Sequence, residues 1–372
     1  MKIQLSKLRD WNTKFEFSAK INISDCSVYP LTLKELFLIA GKGAKKEFEK
    51  LSLGYTKTWG EDILRQEIAK TYQNIKADNI LVTNGAIEAI FLIMSVLSNP
   101  GEEMISFFPN YQALFEVAKT CGVKIKWWKL NERNNFSPDF NQLLRLTTKN
   151  TKAIIINQPQ VPTGFVFTKS DYLNLIEICR KYGLYLVSDE VCRWLYLDGS
   201  NGIPPAADLY DKAISIGDVS KSFGAGGLRI GWLVSQNKEI LEKCIPLRGY
   251  TTMSNSAPSE FLATLILKNK KAILKPRLET AKINYQLFEK FVCEYTDKIS
   301  LIPPIGGVTV FPKLKSKTNS LNFCKKLIEK ENIMLVPGVV YGMPKNFRLG
   351  FGCKTKIFKR GLAGLRRYLE SF

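Results

Sequence analysis

Between about residues 75 and 260, short apolar runs alternate with stretches of helical period. The runs are centred on Ile80–Thr83, Glu103–Phe108, Val123–Trp128, Lys152–Asn157, Leu184–Asp189, Lys212–Gly217 and Ile230–Ser235. Several, such as Ala153-Ile-Ile-Ile-Asn157, are apolar without alternation, as strands buried on both faces are. The intervening stretches read as helices. One is Glu61–Tyr72, with Leu64, Ile68 and Tyr72 on one face. Another is Ser170–Tyr182, capped by Ser170, with its inward face at Leu173, Ile176 and Cys179 or Arg180. Such alternation predicts an α/β fold, a mostly parallel sheet of the seven-stranded type between helices. From about residue 265 the texture changes. A long helical pattern (Leu267 to Val292) precedes strands at Ile302–Lys313 and Ile333–Pro337, a helix at Ser320–Lys330 and an apolar strand around Arg348. The expected division is an N-terminal arm that forms part of a small domain (1–40), a large domain (41–264) and a small α+β domain (265–372).

One stretch of the large region carries chemistry. Ser215-Ile-Gly-Asp-Val-Ser-Lys-Ser-Phe-Gly-Ala-Gly-Gly-Leu-Arg-Ile-Gly-Trp232 sets Lys221 among small residues, with Arg229 eight positions on. A desolvated lysine has a lowered pKa and a free amine able to form a Schiff base. Arg229 and the Ser220 hydroxyl can hold a phosphate. An aldehyde for the lysine and a phosphate anchor beside it describe a pyridoxal 5'-phosphate (PLP) site. The plain alternative is a surface lysine in a Gly-rich loop.

Other stretches fit the first reading. After Ile80–Thr83 comes Gly85, and a helix begins at once, so its unpaired amides can meet an anion. Asp189 closes a strand at the edge where parallel sheets bind ligands. Arg348 sits in an apolar strand, where a charge needs a partner. A substrate carboxylate or a structural ion pair would serve.

Composition narrows the class. The chain has 372 residues, a formal charge of +20 and no histidine. Any proton shuttle must therefore be Lys, a carboxylate, Tyr or Cys. The lysines are spread out with no run of five, which favours a general Lys-rich bias over a nucleic-acid surface. Eight scattered cysteines without a CxxC pair indicate neither metal nor a disulfide framework, and fit reduced thiols in the cytoplasm. No apolar run of eighteen residues suggests a membrane span, and Met1-Lys-Ile-Gln-Leu-Ser-Lys7 has no leader-like core.

The motif Ser220-Lys-Ser-Phe-Gly-x-x-Gly-Leu-Arg-Ile-Gly-Trp232 closely resembles the lysine motif of class I/II aminotransferases, the fold-type I PLP enzymes. Thr83-Asn-Gly-Ala-Ile-Glu-Ala89, Gln158-Pro-Gln-Val-Pro-Thr-Gly164 and Asp189-Glu190 match further segments of that family, over nearly the whole chain. The resemblance implies an aspartate aminotransferase-like fold and a homodimer with shared active sites. It implies amino acid and 2-oxo acid substrates. Gly85, Ala86 and Ile87 would cradle the phosphate, Tyr111 would stack on the ring and Asp189 would pair with the ring nitrogen. Tyr55 would reach the neighbouring subunit's phosphate, and Arg348 would bind the α-carboxylate. Tyr111 and Tyr55 can also be read as packing aromatics.

Two positions depart from the pattern. The family's Asn before Pro-Thr-Gly is Val161, and its Tyr three residues after the Asp is Cys192. Both usual donors to the cofactor's 3′-oxygen are thus missing, a loss of about 2–6 kcal/mol unless another donor stands in. Gln158, Gln160 and Arg193 are the candidates. Asp218, three before Lys221, would repel a phosphate and is expected to turn away or to pair with Arg229 or another cation. Pro204–Tyr210 and Tyr250–Glu260 resemble a capreomycidine synthase-like subgroup. Alongside transamination this keeps open a PLP lyase, cyclase or oxidase acting on an arginine-like amino acid. A non-catalytic PLP-fold binding protein is the third reading.

Overall fold

The computed structural model describes residues 3–200 and 202–371. Met1 and Lys2, the first two residues of the Met1–Lys7 stretch, lie outside them. The seven apolar runs form one sheet: β1 (Ile80–Thr83), β2 (Glu103–Phe108), β3 (Lys124–Lys129), β4 (Thr151–Asn157), β5 (Tyr185–Asp189), β6 (Ala213–Asp218) and β7 (Gly231–Val234). Their order is β1-β7-β6-β5-β4-β2-β3. All neighbours run parallel except β7, which is antiparallel to both β1 and β6. β1 and β6 are buried along their whole length, as strands covered on both faces must be. β3 lies at the edge and carries Lys124, Lys126 and Lys129, charges that discourage pairing with another chain.

The parallel strands place Phe108, Asn157, Asp189 and Asp218 at one end of the sheet. The helix Gly85–Leu97 starts beside them. Its approach to β7 depends on Gly231, where a Cβ would lie 2.4 Å from the Ala86 nitrogen.

Local details differ from the sequence reading for identifiable reasons. The helix Lys169–Tyr182 is capped by Thr168, whose Oγ1 accepts from the Asp171 amide at 3.1 Å, rather than by Ser170. Its buried face is Tyr172, Leu175, Ile176 and Cys179, the i, i+3, i+4, i+7 set, whereas Leu173 faces solvent. The long pattern Leu267–Val292 is two helices, Ala257–Lys268 and Lys270–Glu294. Asn269 parts them, and its side chain donates to the Leu265 carbonyl at 2.9 Å. Within Ile302–Lys313 only Thr309–Val310 and Lys313–Leu314 are strand. Pro303-Pro304 and Gly306-Gly307 turn the preceding segment onto Gly164, whose carbonyl accepts from Ile305 and Gly306.

Beyond the sheet, Ile21–Asn22 pairs in parallel with Ile333–Met334. Phe347–Gly350 pairs with Thr309–Val310 on one side and Val336–Pro337 on the other. The helices Ser320–Glu331 and Thr355–Glu370 pack with these strands.

Gly231→Ala should force the start of the Gly85 helix off β7. We expect a loss of about 1–3 kcal/mol by chemical denaturation, together with weaker PLP binding in an absorbance titration.

Candidate active site

The lysine turn is organised by Asp218 at the end of β6. Its Oδ1 accepts from the Ser220 amide (2.9 Å) and the Lys221 amide (3.3 Å). Asp218 therefore does turn its charge into the loop backbone. The cation that most favours its ionised form is Lys221, and burial outweighs that effect to push its pKa up. Arg229 is occupied elsewhere. It adopts a left-handed conformation (φ 54°), and its Nη1 donates to the Gly226 carbonyl. Its guanidinium lies over Gly85, where a Cβ would stand 2.3 Å from Nη2. Gly85 itself has φ +74°, so both space and backbone require glycine there. The Ser220 Oγ is buried without a hydrogen-bond partner among the described residues. An orphaned hydroxyl, a guanidinium and a helix start with free amides form a cradle that fits a phosphate. Ala86 is buried and Ile87 half-exposed in that first helical turn.

Behind the lysine lies Asp189, 4% exposed. Burial pushes its carboxyl up to about 7, opposed by the Val191 amide 3.2 Å away and reinforced by Asp218 and Glu190. Such a carboxyl calls for a cation, and a protonated pyridine nitrogen supplies one. Tyr111 is half-buried, and the charged groups nearest in effect on its phenol are Lys221 and Asp189. Its ring thus borders the same space. The residues present fit PLP.

Lys221 itself departs from the expectation of a lowered pKa. The Cys26 sulfur, the Asp25 carboxylate, Asp218 and Cys192 all favour its ammonium form and outweigh burial, so its pKa is raised. Asp25 Oδ1 is 3.9 Å from Nζ. This acid and Cys26 come from the N-terminal arm and carry no motif. Only their short polar context, Ser24-Asp-Cys-Ser27, could have drawn notice.

Arg348 reaches the same place from the other side. Its Nε donates to the Ser24 carbonyl (2.8 Å) and its Nη1 to the Tyr341 hydroxyl (2.7 Å). Nη2 makes no hydrogen bond among the described residues. Arg348 is thus partly structural, with one nitrogen left for a carboxylate. Tyr55 stands apart, 89% exposed and outside this chain's own cluster.

At the departing positions, the Val161 amide donates to Asn157 Oδ1 at 2.6 Å, and Cys192 is fully buried. Two of the three candidate replacement donors are engaged. Gln160 bonds the Pro109 carbonyl and Thr163. Arg193 bonds the Thr71 carbonyl and lies over the rings of Tyr72 and Trp194. Gln158 has both side-chain polar atoms buried and unpaired.

A lysine beside a phosphate cradle, with a buried acid behind it at the ends of a parallel sheet, defines a PLP-dependent enzyme of the aspartate aminotransferase-like fold. The sequence model for aminotransferase class I and II matches residues 40–365. The chain belongs to that family. It is 28% identical to capreomycidine synthase of Streptomyces vinaceus, over 97% of this chain and 93% of that one. It is 30% identical to an aspartate aminotransferase of Sulfurisphaera tokodaii, over 88% of this chain and 86% of that one. A PLP-dependent aminotransferase from Streptococcus suis superposes with a TM-score of 0.94 at 30% identity, covering 100% and 99% of the two chains. The PLP-dependent cyclase OrfR gives 0.93 at 27% identity, covering 100% and 98%. Among the described residues no helix is long and apolar enough to cross a membrane, and no group of three or more His, Cys, Asp or Glu could hold a metal.

Asp189 has a folded-state pKa above its unfolded value of 3.8. Its contribution to the cofactor-free fold is therefore full below about pH 4 and is lost as pH rises through about 7. Asp189→Asn should stabilise the cofactor-free protein at pH 8, by up to ~4 kcal/mol, and leave it unchanged near pH 4. Thermal unfolding at the two pH values checks this. The same variant should bind PLP more weakly.

Val161→Asn restores one 3′-oxygen donor. The pH midpoint of the bound cofactor's absorbance band should fall by about one unit, read by spectroscopic titration.

Proposed function

We propose that this enzyme moves an amino group between an amino acid and a 2-oxo acid, with Lys221 as the cofactor-bearing and proton-carrying residue. The reading is carried by Lys221, which follows the cradle residue Ser220 and has its amine 3.9 Å from Asp25, while Arg348 holds the Ser24 carbonyl just before that acid. Ser220, Arg229 and the amides of Gly85, Ala86 and Ile87 hold the phosphate. Asp189 would face the ring nitrogen and keep it charged, and Tyr111 would lie against the ring. Bound PLP supplies an aldehyde carbon for amines and a ring that accepts the electron pair left when the α-hydrogen departs. Arg348 orients the substrate carboxylate through Nη2. Lys221 Nζ takes the α-proton and later returns it, a role its three freely rotating donors suit. Asp218 keeps the turn, and so the root of that side chain, in place.

The homodimer and the cytoplasmic setting belong to the same proposal. Thr56 Oγ1 donates to the Asn255 carbonyl, Arg248 binds the Thr58 and Val82 carbonyls, and Asn255 donates to the Thr83 carbonyl at 2.8 Å. The segments carrying Tyr55 and Tyr250 are thereby anchored beside the phosphate cradle with both rings exposed, which supports a contact with a second subunit. The three-part division at residues 40 and 264 is likewise proposed. The pairing of Ile21–Asn22 with Ile333–Met334 supports giving the arm to the small domain.

A second reading rests on Val161 and Cys192 and on the likeness to capreomycidine synthase and OrfR. It is elimination or cyclisation on an arginine-like amino acid, and it needs no 2-oxo acid.

An absorbance spectrum of the loaded enzyme, with a panel of amino acids and no oxo acid, separates the two. Transamination predicts that the cofactor band converts to that of the aminated cofactor with at least one amino acid and returns on adding a 2-oxo acid. Product formation with the original band intact would replace it with the second reading. Lys221→Ala should abolish either reaction.

A further inference from the structure

We propose that Asp25 is the counter-ion that holds Lys221 in its charged form, a positioning residue for the proton that the lysine carries. The inference rests on reading Lys221 as the cofactor-bearing lysine.

The Asp25 segment is held on two flanks. Its segment lies along the Arg348 strand, where Gly350 donates to the Ile23 carbonyl at 2.9 Å and Tyr29 donates to the Gly352 carbonyl at 2.7 Å. A Cβ on Gly350 would stand 1.8 Å from the Asp25 carbonyl oxygen, and one on Gly352 2.2 Å from that of Ser27. Two residues lacking side chains thus admit the segment. On its other flank the Val28 amide donates to the Lys221 carbonyl at 3.0 Å. A Cβ on Gly224 would stand 2.3 Å from the Tyr29 carbonyl oxygen. The backbone of Asp25 is therefore fixed relative to the lysine it faces.

The carboxylate is also oriented. Ser27 Oγ donates to Oδ2 at 2.6 Å, leaving Oδ1 towards Lys221 Nζ at 3.9 Å. Arg348 grips the peptide carbonyl just before it. Lys221 and Arg348 both favour its ionised form, and its pKa is lowered despite desolvation.

The other groups that act on Lys221 are Cys26 from the same arm, Asp218 from its own loop, Cys192 and Asp189 from β5 and the turn after it, and the Tyr111 phenol. Asp189 and Asp218 are more than nine-tenths buried, and burial raises both. Asp189 is committed to the ring nitrogen, and Asp218 to two backbone amides. Burial pushes the Cys192 thiol well up and the Tyr111 phenol up. Asp25 is the carboxylate that faces Nζ, at 3.9 Å, and its pKa is lowered where those of Asp189 and Asp218 are raised. When Nζ accepts the α-proton it becomes an ammonium beside that carboxylate, which stabilises the proton there until it is returned.

The test uses the cofactor-free full-length chain and reads attachment rather than turnover. Only the neutral amine attacks an aldehyde, so the attachment rate at a fixed pH reports the amine fraction of Lys221. At pH 8 Asp25→Asn should attach both PLP and pyridoxal about tenfold faster than wild type, since losing the counter-ion lowers the lysine pKa by about one unit. Asp25→Glu should return both rates towards wild type. Acceleration with PLP but not with pyridoxal would mean that Asp25 merely repels the phosphate, and the proposal would fall. Equal rates in all three proteins would also overturn it. If Asp25→Asn does not fold, the wild type still decides. The pair is partly exposed, so 1 M salt should accelerate pyridoxal attachment, and a salt-independent rate would count against the pair. In the loaded enzyme the alkaline limb of kcat should move down in Asp25→Asn by the same unit. Failure of any variant to bond the aldehyde at Lys221 would instead sink the PLP reading of that residue.

Discussion

A carboxylate at the end of β5, 4% exposed, sets the terms for the rest of this site. Asp189 is surrounded by Asp218 and Glu190 rather than by arginines, and burial raises its pKa to about 7. Left alone, such a group is a cost to the fold. A ring cation placed against it removes the cost and is in turn kept protonated. In the proposed reading the anchoring of the cofactor and the protonation of its ring would therefore be one interaction seen from two sides.

Around that acid the protein uses backbone where it needs proximity and side chains where it needs charge. Gly85 and Gly231 let the helix start, β7 and the Arg229 guanidinium come together. Gly350 and Gly352 do the same for the N-terminal arm. The charges brought in this way alternate. In the proposed reading Arg229 would face the phosphate, Asp189 the ring, Lys221 the reacting carbon and Arg348 a carboxylate, while Asp25 lies 3.9 Å from the lysine. A strongly basic chain thereby presents a site in which its cations are each answered by a nearby anion, its own or the ligand's.

Much of this was readable in one dimension because it is local. Ser220, Lys221 and Arg229 lie within ten residues, and Asp218 folds onto the same turn. Asp189 and Gly85 were readable for a second reason. In a parallel sheet, successive strands end at the same edge, so residues closing separate apolar runs are neighbours. The reading failed where an outcome depended on partners far along the chain. Desolvation alone suggested a lowered lysine pKa, but the arm supplies Asp25 and Cys26 and reverses the sign. Gln158, Gln160 and Arg193 looked equivalent as donors until packing engaged two of them. Ser170 and Leu173 were misjudged by less than a helical turn, an error that only cap geometry and burial correct.

Residue order alone thus established the α/β class and the cofactor, and pointed to Lys221 as the lysine proposed to bear it, because periodicity and short motifs are properties of neighbouring residues. It could not establish the protonation of that lysine or the commitment of Arg348. Those depend on a contact between residues 324 apart, the Arg348 guanidinium on the Ser24 carbonyl, which delivers an acid to the lysine. Electrostatic energies fall off with distance through space and are indifferent to distance along the chain. Charge balance was therefore settled only when the arm and the C-terminal strand closed on the sheet.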